Sequence, residues 1–209
     1  MSISRFFPQK NSLCKVTAMF CVAGAMALTA CAGSGAEEES TVSITREGKI
    51  NSHIVESFDK TYYDKDELQQ RILQEAASYN RAAGEGAVSV EKVTVENGFA
   101  NVEMTYGKAS DYADFNNRVF FIGTAEEAQE AGYDLNTVLS SVKDEYETVG
   151  KSDILAMEDV RILITDMKEP VTLNGKAAYI SGNVVADKKL KTVYFDEESE
   201  ELAYILYTD

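Results

Sequence analysis

The segment VSVEKVTVENGFANVEMTY, residues 88–106, determines more of the fold than any other stretch of this sequence. Apolar and polar residues alternate on both sides of Asn97-Gly98, and an Asn-Gly pair favours the two positive φ angles of a type I′ turn. A two-residue loop there pairs Val95 with Ala100 and places the apolar side chains on one face. The segment is therefore predicted to be a long β-hairpin.

The first strand of this hairpin is one residue too long for a regular ladder. Val88 and Val90 are out of phase with the valines nearer the turn. One extra residue at Glu91-Lys92 restores the phase and places Val90 opposite Met104, so we expect a β-bulge there. Without the bulge, Glu91 would face the core.

A second hairpin is predicted over residues 42–54. Its three-residue loop, Arg46-Glu47-Gly48, has glycine at the left-handed position, and this register pairs Ile44 with Ile50. The only histidine of the chain, His53, then lies on the polar face. With no acid or nucleophile assigned to it, His53 is interpreted as a surface residue.

The main helix is predicted to begin after Asp64. The Asp64 side chain can cap the first turn, and Glu67 is placed to complete a capping box. Apolar residues follow at helical spacing and Gly84 ends the run. The helical face that should pack on a sheet contains Leu68, Ile72, Ala76 and Tyr79, with Leu73 beside them.

The rest of the chain is predicted to consist of short helices and many strands. A helical turn capped by Ser110 is followed by an inner strand over residues 118–123 and a helix capped by Thr124. The later strands are predicted at 138–143, 154–157, 160–165, 170–173, 177–181, 191–195 and 202–207, with 160–165 and 202–207 as the central pair. The pattern predicts an α+β fold, a mostly antiparallel β-sheet with one main helix and one or two short helices packed on it.

The amino-terminal segment has the layout of a secretory signal. Residues 1–15 contain Arg5, Lys10 and Lys15 but no acid, and residues 16–28 form an almost unbroken apolar run. As a helix this run would be about 20 Å long, which is shorter than the ~30 Å hydrocarbon core of a bilayer. A permanent membrane span is therefore not expected here.

The end of the apolar run, Leu28-Thr29-Ala30-Cys31, resembles the lipobox that signal peptidase II cleaves in bacterial lipoproteins. In that family the cysteine receives a diacylglycerol, the bond before it is cut, and the new amino terminus is often acylated. The resemblance implies that Cys31 is lipidated and anchors the protein to the extracytoplasmic face of the cell membrane. An ordinary secretory signal, cut nearby, is the alternative.

The chain therefore divides into three parts: a signal peptide (1–30), the lipidated cysteine with a flexible acidic tether (31–41), and a single globular domain (42–209). The other two cysteines, Cys14 and Cys21, lie in the signal, so the globular domain has no thiol. The signal holds three of the 20 basic residues and none of the 35 acids, so residues 31–209 have a net charge of −18. Nucleic acid is excluded as a partner, because phosphate binding needs basic clusters.

No catalytic, cofactor or metal site is predicted. One histidine and no available cysteine give too few ligands for a zinc site. No partner can be assigned to the histidine for a serine-hydrolase triad, and no phosphate-binding loop occurs. The densest acidic groups, 64–67 and 196–201, are interpreted as a helix cap and a solvated turn. Tyrosines at 62, 63, 204 and 207 are the candidates for lining a ligand groove.

These observations predict a membrane-anchored, non-enzymatic surface lipoprotein that binds a ligand or a protein partner. By lipobox, tether and composition it resembles small acidic surface lipoproteins of Gram-positive anaerobes, which have no assigned activity. The alternative function is a carboxylate-dependent hydrolase acting on cell-wall or extracellular glycan. A hydrolase would need two acids facing each other across a cleft, about 5 to 10 Å apart, one with a raised pKa.

Overall fold

The computed structural model describes residues 39–144 and 146–208. The predicted signal peptide, Cys31 and most of the tether lie outside the described residues. The first strand begins at Thr41, the last residue of the predicted tether.

The fold is α+β, with two mostly antiparallel sheets that contain most of the regular structure. The described strands are β1 (Thr41–Ile44), β2 (Ile50–Ser57), β3 (Val88–Glu96), β4 (Phe99–Tyr106), β5 (Phe120–Gly123), β6 (Leu139–Ser141), β7 (Thr148–Val149), β8 (Arg161–Thr165), β9 (Val171–Thr172), β10 (Lys176–Ile180), β11 (Val184–Ala186), β12 (Thr192–Phe195) and β13 (Ala203–Thr208). The described helices are α1 (Lys65–Ala83), α2 (Ala109–Asn116), α3 (Ala125–Glu130) and α4 (Lys151–Leu155). Three short helices therefore accompany the main one, instead of the predicted one or two.

One sheet has seven strands in the order β11-β12-β9-β1-β2-β4-β3, and the other has six in the order β5-β8-β13-β10-β6-β7. Within the seven-stranded sheet, β1 and β9 are far apart in sequence and pair in parallel. Both predicted central strands, β8 and β13, are inner neighbours in the six-stranded sheet. Both strands have apolar residues on both faces because each face of this sheet packs against a core.

Both predicted hairpins are confirmed residue by residue. Asn97 and Gly98 have φ angles of 53° and 81°, and Gly48 has φ 79°. The β3–β4 ladder shifts register between Val90 and Lys92, so Val90 pairs with Met104 as the bulge predicts. The β1–β2 ladder pairs Ile44 with Ile50.

Two apolar cores are built on opposite faces of the six-stranded sheet. The larger lies between the two sheets and is completed by α1; its buried members include Ile44, Leu68, Leu163 and Ile205. The smaller lies beneath α3 and α4, and Leu206 is one of its buried members. Adjacent residues of β13 therefore belong to different cores.

The main helix has the predicted Asp64 cap and buried face, but among the described contacts Glu67 does not return the bond that would complete the predicted capping box. The Asp64 carboxylate accepts the Glu67 N–H at 2.9 Å, and Leu68, Ile72 and Ala76 are buried. The Glu67 carboxylate binds Arg71 one turn later at 2.6 Å. Leu73 is 46% exposed, so it lies outside the packed face.

Three local predictions are corrected by the structure, and two short strands were missed. The residues predicted as an inner strand, 118–123, form β5 at the edge of the six-stranded sheet. The residues predicted as a strand at 154–157 overlap α4, because Gly150 starts a helix and donates its N–H to the Asp153 carboxylate at 3.0 Å. Helix α2 begins one residue before the predicted cap Ser110, and the short strands β7 and β11 were not predicted.

Candidate ligand-binding groove

A groove of about 640 Å³ lies along the outer edge of β5. The turn of the β1–β2 hairpin, the start of α2 and Arg161 at the start of β8 form its first wall. Phe121 of β5 and Tyr133, which follows α3, form its second wall. We call this feature the β5 groove; its volume lies within the range typical of ligand sites in proteins.

The backbone of β5 presents hydrogen-bonding groups to this groove. In an antiparallel pair, alternate residues bond to the partner strand and the others point away from it. The Asp166 N–H donates to the Val119 carbonyl at 3.2 Å, and Phe121 pairs with Ile164 two residues further along. The N–H and C=O groups of Phe120 and Ile122 therefore point away from β8, towards the groove.

The first wall contains three cations from distant parts of the sequence: Arg46, Lys108 and Arg161. Within the described chain, none of the three forms an ion pair with an acid. By contrast, Arg71 pairs with Glu67, and Arg118 is 3.4 Å from Glu169. The groove cations are thus available to an external anion, in a chain whose formal net charge is −15.

The first wall also contains two acids, Glu47 and Asp114. Backbone hydrogen bonding at Glu47, followed by a hydrogen bond from Thr45 and the nearby cations Lys49 and Arg46, lowers the pKa of Glu47. Glu47 is therefore a carboxylate at neutral pH. Cations outnumber acids by one on this wall.

Helix α2 adds a weak positive field to the same wall. Lys108 occupies its N-cap position and Ala109 and Ser110 line the groove. No side chain caps the first turn of α2. The free amides of a first turn form the positive end of the helix dipole, which favours anions.

The second wall and the floor are aromatic. The rings of Phe121 and Tyr133 are 5.1 Å apart between centroids, and Phe120 lies 4.8 Å from Tyr112. Phe120 is 2% exposed, so it forms the floor, whereas Phe121 is half-buried. Burial raises the pKa of the Tyr133 phenol, which is neutral at physiological pH.

The predicted tyrosine candidates are not brought together in this groove. Tyr207 lines it as a fully buried residue. Tyr204 packs against the smaller core, and Tyr62 and Tyr63 contact each other edge-to-face at 5.0 Å in the loop before α1. Tyr133, which lines the second wall, was missed because nothing around it in sequence marks a site.

The predicted acidic groups have structural contacts. Asp64 caps α1, as described above. In the 196–201 turn, the Asp196 carboxylate accepts the Glu198 N–H at 3.0 Å, and the Lys168 ammonium donates to the carbonyls of Asp196 and Ser199. His53 lies in β2, opposite Glu103 of β4 on the outer face of the seven-stranded sheet, away from the β5 groove.

Two further observations concern the part of the chain that the structure describes. No cluster of three or more histidine, aspartate or glutamate side chains there is arranged to hold a metal ion. No helix in residues 39–144 and 146–208 has the length and apolar character needed to cross a bilayer.

The description of the β5 groove comes from the structure of this chain alone. No protein-family model matches the chain. Comparison with curated proteins and with solved structures also found no significant match.

Proposed function

We propose that this protein is a lipid-anchored binding module on the extracytoplasmic face of the cell membrane, and that the β5 groove is its ligand site. The observation that carries the proposal is the convergence on one groove of an aromatic wall and three cations that form no ion pair within residues 39–144 and 146–208. An organic anion with an apolar part complements both surfaces. The lipobox-like junction at Cys31 supports the location.

The directions in which the pKa values of the described carboxyl groups are shifted favour a binding function over hydrolysis. Every carboxyl with a displaced pKa has a lowered pKa: Glu47, Asp59, Glu169 and Asp187. A glycosidase acid needs the opposite displacement, because it must hold a proton at neutral pH. Glu47, one of the two acids in the groove, is thus suited to remain ionised.

Ligand binding can be tested with 1-naphthoate, an aromatic carboxylate. The protein is purified from membranes in detergent, and calorimetric titration is corrected for a titration into detergent alone. We expect saturable binding at one site, and weaker or no binding of neutral 1-naphthamide, because the carboxylate interacts with the groove cations. Non-saturable heat, or equal binding of the amide, contradicts the proposal.

Two groove variants and one matched control locate the binding site. Lys108→Glu should weaken naphthoate binding about tenfold, because it replaces an attraction by a repulsion. Phe121→Ala should also weaken it by removing half of the aromatic wall. Lys188→Glu makes the same charge change at an exposed turn outside the groove and should have little effect.

The proposed location has a separate test. Cys31→Ala should release the protein from the membrane fraction, because no acyl chain can then be attached. Retention of the variant with the membrane as strongly as the parent would show that lipid is not the anchor.

A further inference from the structure

We propose that the ligand of the β5 groove is an extended peptide with alternating acidic and apolar side chains, which adds to the six-stranded sheet as a strand beside β5. This deepens the proposed function, on which it rests, by naming the ligand class. The first argument is that β5 is the edge strand of this sheet, with no strand of the described residues beyond it. The outward N–H and C=O groups of Phe120 and Ile122 are arranged as strand addition requires.

The position of this edge makes it selective. An unprotected sheet edge is a hazard, because any extended chain can pair with it. Here the first wall stands on one side of β5 and the second wall on the other, so only a peptide whose side chains suit both walls can reach the backbone.

The two walls lie on opposite faces of the sheet. Phe120 and Ile122 pack with the larger core, on the face towards Arg46, Lys108 and Arg161. Phe121 and Tyr133 pack with the smaller core, on the other face. Because successive side chains of a strand point to opposite faces, an added strand places alternate side chains against the cationic and the aromatic wall.

Charge complementarity then fixes the composition of the peptide. Side chains directed to the first wall meet three cations and two acids, and among the described residues none of the cations is in an ion pair, so acidic side chains are favoured there. Side chains directed to the second wall meet the Phe121 and Tyr133 rings, so apolar ones are favoured. The four residues of β5 span about 13 Å at ~3.3 Å per residue, which matches a peptide of four or five residues.

The direct test is hydrogen–deuterium exchange of the full-length protein with the probe acetyl-Glu-Val-Glu-Val-Glu-amide. A fragment covering residues 118–124 should take up deuterium more slowly when the probe is bound, because the Phe120 and Ile122 amides become hydrogen-bonded. The lysine analogue of the probe tests charge, and the analogue N-methylated at every residue tests backbone pairing. Neither analogue should slow the exchange.

Two pairs of variants test whether the slower exchange depends on the backbone edge of β5 and on the charge of the first wall. Ile122→Pro removes one outward N–H without removing a bond to β8, a position where an edge strand accepts proline; Ile122→Val keeps the N–H and is its control. Lys108→Glu should weaken probe binding about tenfold. Lys188→Glu should leave it unchanged, and the charge pair remains informative if Ile122→Pro does not fold.

The outcomes separate this inference from the proposed function. Slower exchange with the acidic probe alone, lost in Ile122→Pro and in Lys108→Glu, supports strand addition. If 1-naphthoate binds the groove but the acidic probe gives no protection, or the lysine or N-methylated analogue protects equally, the peptide inference is wrong and the binding module remains. If naphthoate also fails to bind, both are wrong.

Discussion

Tyr79 and Asp111 form a hydrogen bond that depends on the phenolic proton of Tyr79. The Tyr79 hydroxyl donates to the Asp111 carboxylate at 3.3 Å, and Asp111 is buried in the first turn of α2. Burial, together with the charges of Asp111 and Asp114, raises the pKa of Tyr79 to about 12. The contact holds α1 against α2, the helix that forms the first wall of the β5 groove.

This contact predicts a loss of stability in alkali. The folded pKa of Tyr79 lies above its ordinary value of 10.0, so between about pH 10 and 12 the unfolded chain binds fewer protons and stability falls as pH rises. Tyr79→Phe should flatten this part of the curve and cost about 1 kcal/mol at pH 7 for the lost hydrogen bond. Urea unfolding at several pH values measures both effects. Tyr194→Phe, at an exposed position, is the control; an equal flattening there would contradict the assignment.

Phe120 and Phe121 are neighbours with different roles in the groove. Phe120 is buried against Tyr112, so Phe120→Ala should leave a cavity and lower the free energy of unfolding by about 3–5 kcal/mol. Phe121 is half-buried, so Phe121→Ala should cost less than half as much. Urea denaturation of the two variants makes the comparison. Equal losses would mean that the wall residue is as important to folding as the floor residue.

At the scale of elements, the bulge in β3 shows how one residue keeps a hairpin in register. Glu91 is the residue that the ladder skips, since Val90 pairs with Met104 and Lys92 with Glu103. The pairs on both sides of it therefore do not depend on its presence. The bulge lets both halves of β3 present valines to the same core.

Deleting Glu91 should accordingly be tolerated, and we expect a change in the free energy of unfolding of less than about 1 kcal/mol because every other pair is preserved. Deleting Thr94 is the matched comparison. If Val95 and Val90 keep their partners, that deletion places Lys92 on the inner face, at a cost of about 2 kcal/mol or more. Chemical denaturation distinguishes the two cases. A large loss for the Glu91 deletion would mean that the bulge itself is needed for the twist of the sheet.

Prediction from sequence succeeded where turn chemistry and side-chain alternation act locally. Asn97-Gly98 and Gly48 need positive φ angles, and these positions placed both hairpins in register. The same reasoning failed for β5, whose apolar residues on both faces indicated an inner strand. They are covered on one face by the larger core and on the other by the smaller one, while no described strand pairs with the outer edge of the backbone. Alternation reports what lies above and below a strand and gives no information about what lies beside it.

The groove could not be predicted from sequence for a related reason. Arg46 is in a hairpin turn, Lys108 precedes α2, and Arg161 begins β8, so no local pattern joins them. Only the closure of the sheets brings them to one wall. Of the tyrosines favoured from sequence, which form two pairs close along the chain, only Tyr207 lines the groove.

At the scale of the whole molecule, the six-stranded sheet connects the two cores. Its inner strands β8 and β13 alternate between them: Leu163 and Ile205 face the larger core, and Ile164 and Leu206 face the smaller. Each core is therefore completed by strands that the other core also needs. Unfolding of either one should remove the support of the other, so the described chain is predicted to unfold in one cooperative step.

Ile205 and Leu206 provide a matched test of this cooperativity, because both are buried neighbours on β13 and each belongs to a different core. Replacement of either by alanine should cost about 2–5 kcal/mol. The buried apolar residues of α1 belong to the larger core, and those of α3 belong to the smaller. If the cores unfold together, each variant should accelerate hydrogen exchange in α1 and in α3 to the same extent. If Leu206→Ala accelerates exchange in α3 and leaves α1 unchanged, the cores unfold separately. The β5 groove, whose floor and second wall belong to different cores, would then open with the weaker of the two.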